Sequence, residues 1–479
     1  MAKQVKQDPP TSDSPKSILI WGVLLAISCI AHFSIHLSTA KFSLVWIFSV
    51  ACLLMSFALI QRPNLNRLLL LAGIQVLHFF AVAPFNPDHW ILICLVNLTL
   101  LSAALRQWLL YRKVDPRQLM DDFSQGAKLI FLVCYSFAAI SKYNIHFLFS
   151  DLSAARAMQK LQIGGFPALK YFVWIPAAPW LALICETALP ICLCIRRLRN
   201  VGIIIALFFH AALMLSPTVK VYDFTLAVYA MLYLFTSNNF DTNLMMILGR
   251  LKSRLATINS RIWPGVLITA ATTIIVTSFV SPLESVPKYY LVTRWQIALA
   301  ITSAVIVTFL LAIATKSIVE KPAVRPRQNN FWPQWGLPYI FVALSLLNGL
   351  CPYLGLKTQG SFTMFSNLQT EAGQWNHLFM PQAMRIFDSY QDKLVTVVAS
   401  TEEFHQQQYI EKNLQATEFE IRRNFMHCSD LKMTVQENGQ NVAVTVDSNS
   451  MLTQPLPWWK RKLMIFRPVS PNGQPFTSN

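Results

Sequence analysis

Residues 17–38 read SILIWGVLLAISCIAHFSIHLS. The stretch holds no Asp, Glu, Lys or Arg, and as a helix rising about 1.5 Å per residue it covers the ~30 Å hydrocarbon core of a bilayer. It follows Lys3, Lys6 and Lys16, the charge pattern of a secretory signal. Its apolar part is longer than the roughly 7–15 residues of a signal core, however, so it reads as a retained first helix. Ser38-Thr39-Ala40 leaves a small-residue cleavage site open as the alternative.

Working outward, similar apolar runs recur near 42–60, 68–84, 90–111, 127–149, 179–195, 201–216, 221–236, 264–281, 295–315 and 338–356. The chain is 54% hydrophobic and 13% charged, against about 25% charged in soluble proteins. These features predict an all-α polytopic transmembrane bundle of about eleven helices, followed by a small C-terminal α+β extramembrane domain. The expected divisions are a disordered cytoplasmic tail at 1–16, a membrane domain at 17–356 and an extracytoplasmic domain at 357–479.

The net charge of +17 raises the question of a nucleic-acid partner. From residue 357 onward eleven basic residues balance eleven acidic ones, so the whole excess lies in the first 356 residues. There it occupies short loops between apolar runs, where it sets topology and meets anionic lipid. The partner is the lipid bilayer, and nucleic acid is excluded. With the N-terminus inside, one set of loops carries twenty Lys/Arg, among them Arg62, Arg67, Arg112, Arg117, Lys128 and Arg196, and the other carries seven. The richer side is cytoplasmic, and eleven crossings then place the C-terminal domain outside.

Seven of the nine cysteines fall in or beside apolar runs and read as small buried hydrophobes. Only Cys351 and Cys428 lie near or in the soluble part, which leaves room for one disulfide. No Cys/His spacing for zinc occurs, and no metal is expected. His32 and His36, at i and i+4, have a spacing that suits metal ligands, but no acidic partner is near them.

Within the C-terminal part, a strand is expected at 393–399 and a helix or helix pair at 402–428. A hairpin is expected from 432–436 and 442–446 around Asn438-Gly439. Trp458-Trp459 suits either a membrane interface or a strand end.

Ionisable side chains inside a bilayer are costly and mark function unless they reach an interface. Arg106, about five residues from a helix end, reaches it by snorkelling. Lys142, Glu186, His210, His78 and His32 instead come out at one depth, ~9–10 Å below the outer surface. His146 lies one turn closer to that surface. Lys142 and His146 are expected to share a helix face at i and i+4. A desolvated lysine needs a counter-ion, for which Glu186 is the expected partner, or it becomes a neutral amine usable as a base. The competing interpretation of this layer is polar packing between helices.

Three stretches carry a family resemblance. Tyr135-Ser136-Phe137-Ala138-Ala139-Ile140-Ser141-Lys142-Tyr143-Asn144, Glu186 with Arg196-Arg197-Leu198-Arg199 and Phe209-His210, and Asn86-Pro87-Asp88-His89-Trp90 follow one another over roughly residues 70–235. Together they resemble the vitamin K-dependent γ-carboxylase superfamily, or horizontally transferred transmembrane (HTTM) domain. Where that family often has Ala-Gly this chain has Ala138-Ala139, and Ser141 stands where vertebrate-type carboxylases have a second lysine. The resemblance implies Lys142 as the base that deprotonates a reduced quinone of the vitamin K type. It further implies His89 as its catalytic partner, and an extracytoplasmic protein substrate. Residues 357–377 are similar to a segment of bacterial relatives, which implies a bacterial inner membrane. A membrane enzyme of this type, a transporter and a non-catalytic scaffold are the three functional readings.

Overall fold

The computed structural model describes residues 16–36, 43–165, 167–171, 173–214, 221–237, 240–246, 331–371, 373–387, 390–428, 430–437 and 439–470. The expected spans near 264–281 and 295–315, the tail at 1–15 and the side chain of His36 lie outside the described residues.

Along the chain run α1 (Ser17–His36), α2 (Leu44–Gln61), α3 (Leu65–Val82), α4 (Asp88–Tyr111) and α5 (Pro116–Ile140). There follow the short α6 (Ile145–Phe149), α7 (Ala154–Gly165), α8 (Ala178–Cys194), α9 (Arg199–Met214), α10 (Tyr222–Tyr233) and α11 (Leu337–Leu354). Six described helices are long and apolar enough to cross a membrane: α2, α3, α4, α5, α8 with the preceding turn from Ile175, and α11. The chain is thus an integral membrane protein. α1 and α9 contribute shorter apolar stretches, and α10, at 12 residues, is too short to span.

The largest correction concerns the fifth run. Instead of one helix over 127–149, α5 starts at Pro116 and stops at Ile140. Its start is fixed by Asp115, whose carboxylate accepts the Arg117 amide at 2.7 Å while Pro116 occupies the first helical position. Arg117 and Lys128, counted above as loop charges, therefore sit within α5, and Lys128 is buried. The chain re-enters helix only after Asn144, whose side chain accepts the Phe147 amide at 2.8 Å to start α6. Lys142 and His146 consequently do not share a helix face.

The chain divides into two compact units. The first comprises Met1–His78, Ile93–Phe131 and Ile191–Val342. In it α1 packs against α2 and α10, and every residue of α10 is buried. Trp21 packs tilted against Phe123, ring centroids 4.6 Å apart. Arg106 does more than snorkel: it pairs with Asp122 at 3.5 Å and lies over the Trp335 ring.

The second unit comprises Phe79–Leu92, Leu132–Pro190 and Ala343–Asn479. Here α11 approaches α5 at Gly349, where a Cβ would fall 2.2 Å from the Phe137 ring. α11 ends in a reversal in which Leu356 N–H reaches back to Cys351 O at 2.9 Å and Gly355 adopts φ +84°, the left-handed closure that favours glycine.

The sheet of this unit is antiparallel in the order β2-β1-β3-β4, with β1 Leu394–Ser400, β2 Gln415–Thr417, β3 Lys432–Glu437 and β4 Gln440–Thr445. The expected hairpin forms, pairing Glu437 with Gln440 across a two-residue turn whose Gly439 has φ +79°. Of the two forms expected over 402–428, a helix or a helix pair, the pair is observed, with helical turns over 403–410 and a second helix from Glu418. Asn413 turns left-handed (φ +49°), β2 intervenes, and Thr417 caps α12 (Glu418–His427) by accepting the Glu420 amide. Val397, Phe425, Leu431, Val435 and Val444 belong to the core between sheet and helix. Trp458-Trp459 open a short helix, α13 (Trp458–Leu463), rather than end a strand. Cys351 and Cys428 are both free thiols, so the disulfide does not form.

In α12, burial pushes the Glu420 carboxyl up to about 7, outweighing the opposing pull of Arg423 and the Phe466 amide. Between the ordinary value of 4.5 and about 7, the folded chain holds a proton that the unfolded chain has released. The stability of the fold around α12 therefore falls as pH rises through that window. Hydrogen exchange at the Phe425 and Val435 amides, corrected for intrinsic rate, should show more protection at about pH 5 than at about pH 7.5, and Glu420→Gln should flatten that difference. At the other contact, Gly349→Ala should lower stability by about 1–3 kcal/mol in thermal unfolding. Gly73→Ala, with nothing within 4 Å of the added Cβ, should not.

Candidate functional site

Lys142 lies in the turn that closes α5. The last carbonyls of a helix lack intrahelical partners, and here nearby side chains and amides take them up. Ser141 Oγ donates to Ala138 O at 3.0 Å, Lys142 N–H to Ala139 O at 3.0 Å, and Tyr143 N–H to Ile140 O at 3.0 Å. The Lys142 side chain curls back so that Nζ donates to Ala138 O at 3.1 Å. Ser141, which departs from the resembled motif, thus acts as a local cap.

An ammonium has three N–H donors, and Lys142 Nζ gives a second hydrogen bond to Met364 O at 2.8 Å. Its counter-charge is Glu186, whose Oε2 stands 2.7 Å from Nζ as an ion pair. The pair is little exposed, 4% for the lysine side chain and 12% for the glutamate. The helix dipole adds to the arrangement, since a cation at a helix C-terminus is stabilised. Nζ also stands 5.8 Å from the Phe147 ring centroid. Glu186 projects from α8, and Tyr143 OH meets Thr187 Oγ1 of the same helix at 3.1 Å.

The segment that supplies Met364 is held in unusual backbone. Gly360, Phe362, Phe365 and Asn367 all have positive φ, between 48° and 65°. For a bulky aromatic residue this region is strained by about 1–2 kcal/mol, so the surroundings must impose it. Phe362 N–H donates to Asp88 Oδ1 at 2.8 Å, Asn144 Nδ2 donates to Ser366 O at 2.6 Å, and Asn367 Oδ1 accepts the Ala154 amide at 2.7 Å.

The same segment carries His377, which the residue-by-residue depth argument did not single out. His377 Nε2 lies 2.8 Å from Ile140 O, and its Nδ1 accepts the Phe379 and Met380 amides at 3.1 and 2.9 Å. Two N–H donors on Nδ1 fix the neutral tautomer with the proton on Nε2. Burial pushes its pKa down in the same direction. His146, partly buried, stands 3.1 Å from Asn376 Nδ2, and its pKa too is lowered by burial.

His89 occupies the first turn of α4, buried and tilted against Trp90 at 6.1 Å. The Asp88 carboxylate beside it lies within electrostatic reach of His89, Lys142 and Lys357. Among the sequence-predicted residues, Lys142 and Glu186 are in contact, and His89 and His146 lie in the same unit. His78, His210 and His32 belong to the other unit.

There, His32 Nδ1 meets Asp223 Oδ2 at 2.7 Å, and Ser28 Oγ donates to Asp223 O at 3.2 Å. Asp223, like Glu186, is an acidic side chain within an apolar run. It stands in the expected 221–236 run and carries a partner for His32. His78 Nε2 lies 3.1 Å from Ser49 Oγ, with Phe33 edge-on to both His32 and His78. His210 packs edge-on to Phe209 and Phe224.

Removing one member of a buried ion pair leaves the other uncompensated. Glu186→Ala should therefore destabilise the full chain in detergent by about 3 kcal/mol, read as a fall in unfolding temperature. Combining it with Lys142→Met should restore most of that loss.

Comparison with known proteins finds no counterpart: no family model, no curated protein and no solved structure matches the chain.

Proposed function

We propose that the chain is a membrane enzyme of HTTM type, with Lys142 as a base acting on a lipophilic acid of the quinol class. The observation that carries this reading is the 2.7 Å contact between Lys142 Nζ and the Glu186 carboxylate. In a low-dielectric site an ammonium–carboxylate pair can collapse to amine and carboxylic acid by moving one proton along that contact. The amine so formed takes a proton from an acidic hydroxyl, and Glu186 holds the proton displaced from Lys142.

The surroundings suit a reduced quinone, which supplies an apolar ring carrying an ionisable hydroxyl. Phe147, Leu148 and Leu183 cluster with Tyr143 beside the pair and offer the apolar wall. His89 and Asp88 stand within the same electrostatic neighbourhood. In the orientation set by loop charges, the site and the C-terminal domain face outward, in a bacterial inner membrane. An extracytoplasmic protein substrate belongs to this reading.

A second reading, a non-catalytic scaffold, is favoured by one observation. Two of the three Lys142 donors are taken by backbone carbonyls, which is what a structural pin requires.

Lys142→Arg separates the two. Arginine keeps the cation but does not give up its proton. With a short-chain reduced naphthoquinone and membranes containing the full chain, Lys142→Arg should lower quinol oxidation by about 10²–10⁴-fold at intact expression, the usual contribution of a general base. Turnover unchanged in that variant would remove Lys142 from the chemistry and leave the scaffold.

A further inference from the structure

From residue 448 to residue 479 the sequence holds no Asp or Glu, and three of its four basic residues are consecutive, Lys460-Arg461-Lys462. Trp458-Trp459 precede them and Leu463 follows, and these six residues form α13. Large apolar side chains are normally buried, yet Trp458, Trp459 and Leu463 stay 68%, 53% and 61% exposed. Trp459 and Leu463, at i and i+4, share one face of the helix. The chain on either side is anchored, because Leu456, Met464 and Phe466 join Phe419 of α12 in one core cluster. α13 therefore holds its apolar side chains out from a packed base.

Two contacts place this helix. Lys460 Nζ donates to Tyr390 OH, whose ring stands edge-on to Phe419. Lys462 Nζ donates to Ala83 O at 3.1 Å. Ala83 directly follows α3, one of the helices long and apolar enough to cross a membrane. The end of such a helix lies at headgroup level, where tryptophan is favoured because its ring is apolar and its N–H polar. Phe80 in the last turn of α3 and Phe85 just beyond it are themselves 56% and 57% exposed. Exposed aromatic rings thus stand at both partners of the Lys462–Ala83 contact.

The charges point to the same surroundings. Among the described residues Lys460, Arg461 and Lys462 have no ion-pair partner. Arg461 Nε is buried and has no hydrogen-bond partner. A guanidinium presents a planar fork of donors that suits the paired oxygens of a phosphate. The two lysines each spend one of three N–H donors on the contacts above.

We propose that α13 docks on the bilayer surface beside the end of α3, with Trp458, Trp459 and Leu463 entering the interface and Arg461, flanked by two lysines, binding the headgroup of an anionic lipid. Buried apolar area and attraction to anionic lipid are the two terms that hold a short interfacial helix. The docking ties the sheet and α12 to the membrane at a second place, besides their covalent link through α11. It does not depend on the chemistry at Lys142.

Photocrosslinking of the full chain in nanodiscs tests the docking. p-Benzoylphenylalanine is placed in turn at the exposed positions of Trp458, Leu463 and Ile184, in bilayers of phosphatidylglycerol and phosphatidylcholine in equal amounts. Adducts on each peptide are then identified by mass spectrometry. Ile184, 61% exposed on the spanning helix α8, reports the bulk lipid. Trp458 and Leu463 should yield lipid adducts, with phosphatidylglycerol enriched about fivefold over its share at Ile184, as one cation at the surface gives. Arg461→Gln should return that ratio to the Ile184 value, and Arg461→Lys should keep part of the enrichment. Salt at about 1 M, where the screening length is about 3 Å, should erase it with no substitution in α13 beyond the probe. The proposal is overturned if Trp458 and Leu463 give no lipid adduct while Ile184 does, or if they cross-link instead to a second copy of the chain. Equal phosphatidylglycerol shares at Trp458 and Ile184 overturn the headgroup site, as does an enrichment that survives both Arg461→Gln and high salt.

Discussion

An ammonium taken out of water must find acceptors and a counter-charge, and that requirement organises the second unit around Lys142. Its partners come from three places in the chain: the Ala138 carbonyl at the end of α5, the Glu186 counter-ion on α8, and the Met364 carbonyl in the segment after α11. No one of these is sufficient alone. The helix end offers carbonyls and the favourable end of its dipole, the glutamate offers the counter-charge, and the loop closes the last direction. Left-handed turns at Phe362 and Phe365 bring the Met364 carbonyl into place. Their strain is held by Asp88 on one side and by Asn144 and Ala154 on the other. The segment looks irregular because it is shaped by its contacts rather than by its own backbone preferences.

The same accounting explains what could be read in advance. A buried lysine demands a counter-ion, so the pairing of Lys142 with Glu186 was legible from two residues and a hydropathy pattern. The boundaries of α5 were not, because hydropathy weighs side-chain transfer and ignores caps. Pro116-Arg117-Gln118 is too polar to register as a span, yet Asp115-Pro116 is a helix start on capping grounds. At the other end, apolar Ile145–Phe149 extends the hydrophobic run beyond the helix, while Asn144 breaks it by capping the next turn. In the C-terminal domain, Thr417 with Glu420 three residues later was a readable start signal. It marks the start of the second member of the helix pair. Asn438-Gly439 announced its hairpin because a two-residue turn restricts the residues it accepts.

The histidines show why depth is a weaker guide than partners. His32 meets the Asp223 carboxylate, whereas His377 is fixed in its neutral form by two amides on Nδ1. Their environments demand opposite things of the same ring. Asp223 could have been found by checking every acidic residue in the apolar runs. His377 could not have been found by depth at all, since it lies in a polar loop. What placed it beside Ile140 O is the unfilled carbonyl at the end of α5, a demand visible only once the helix end is known.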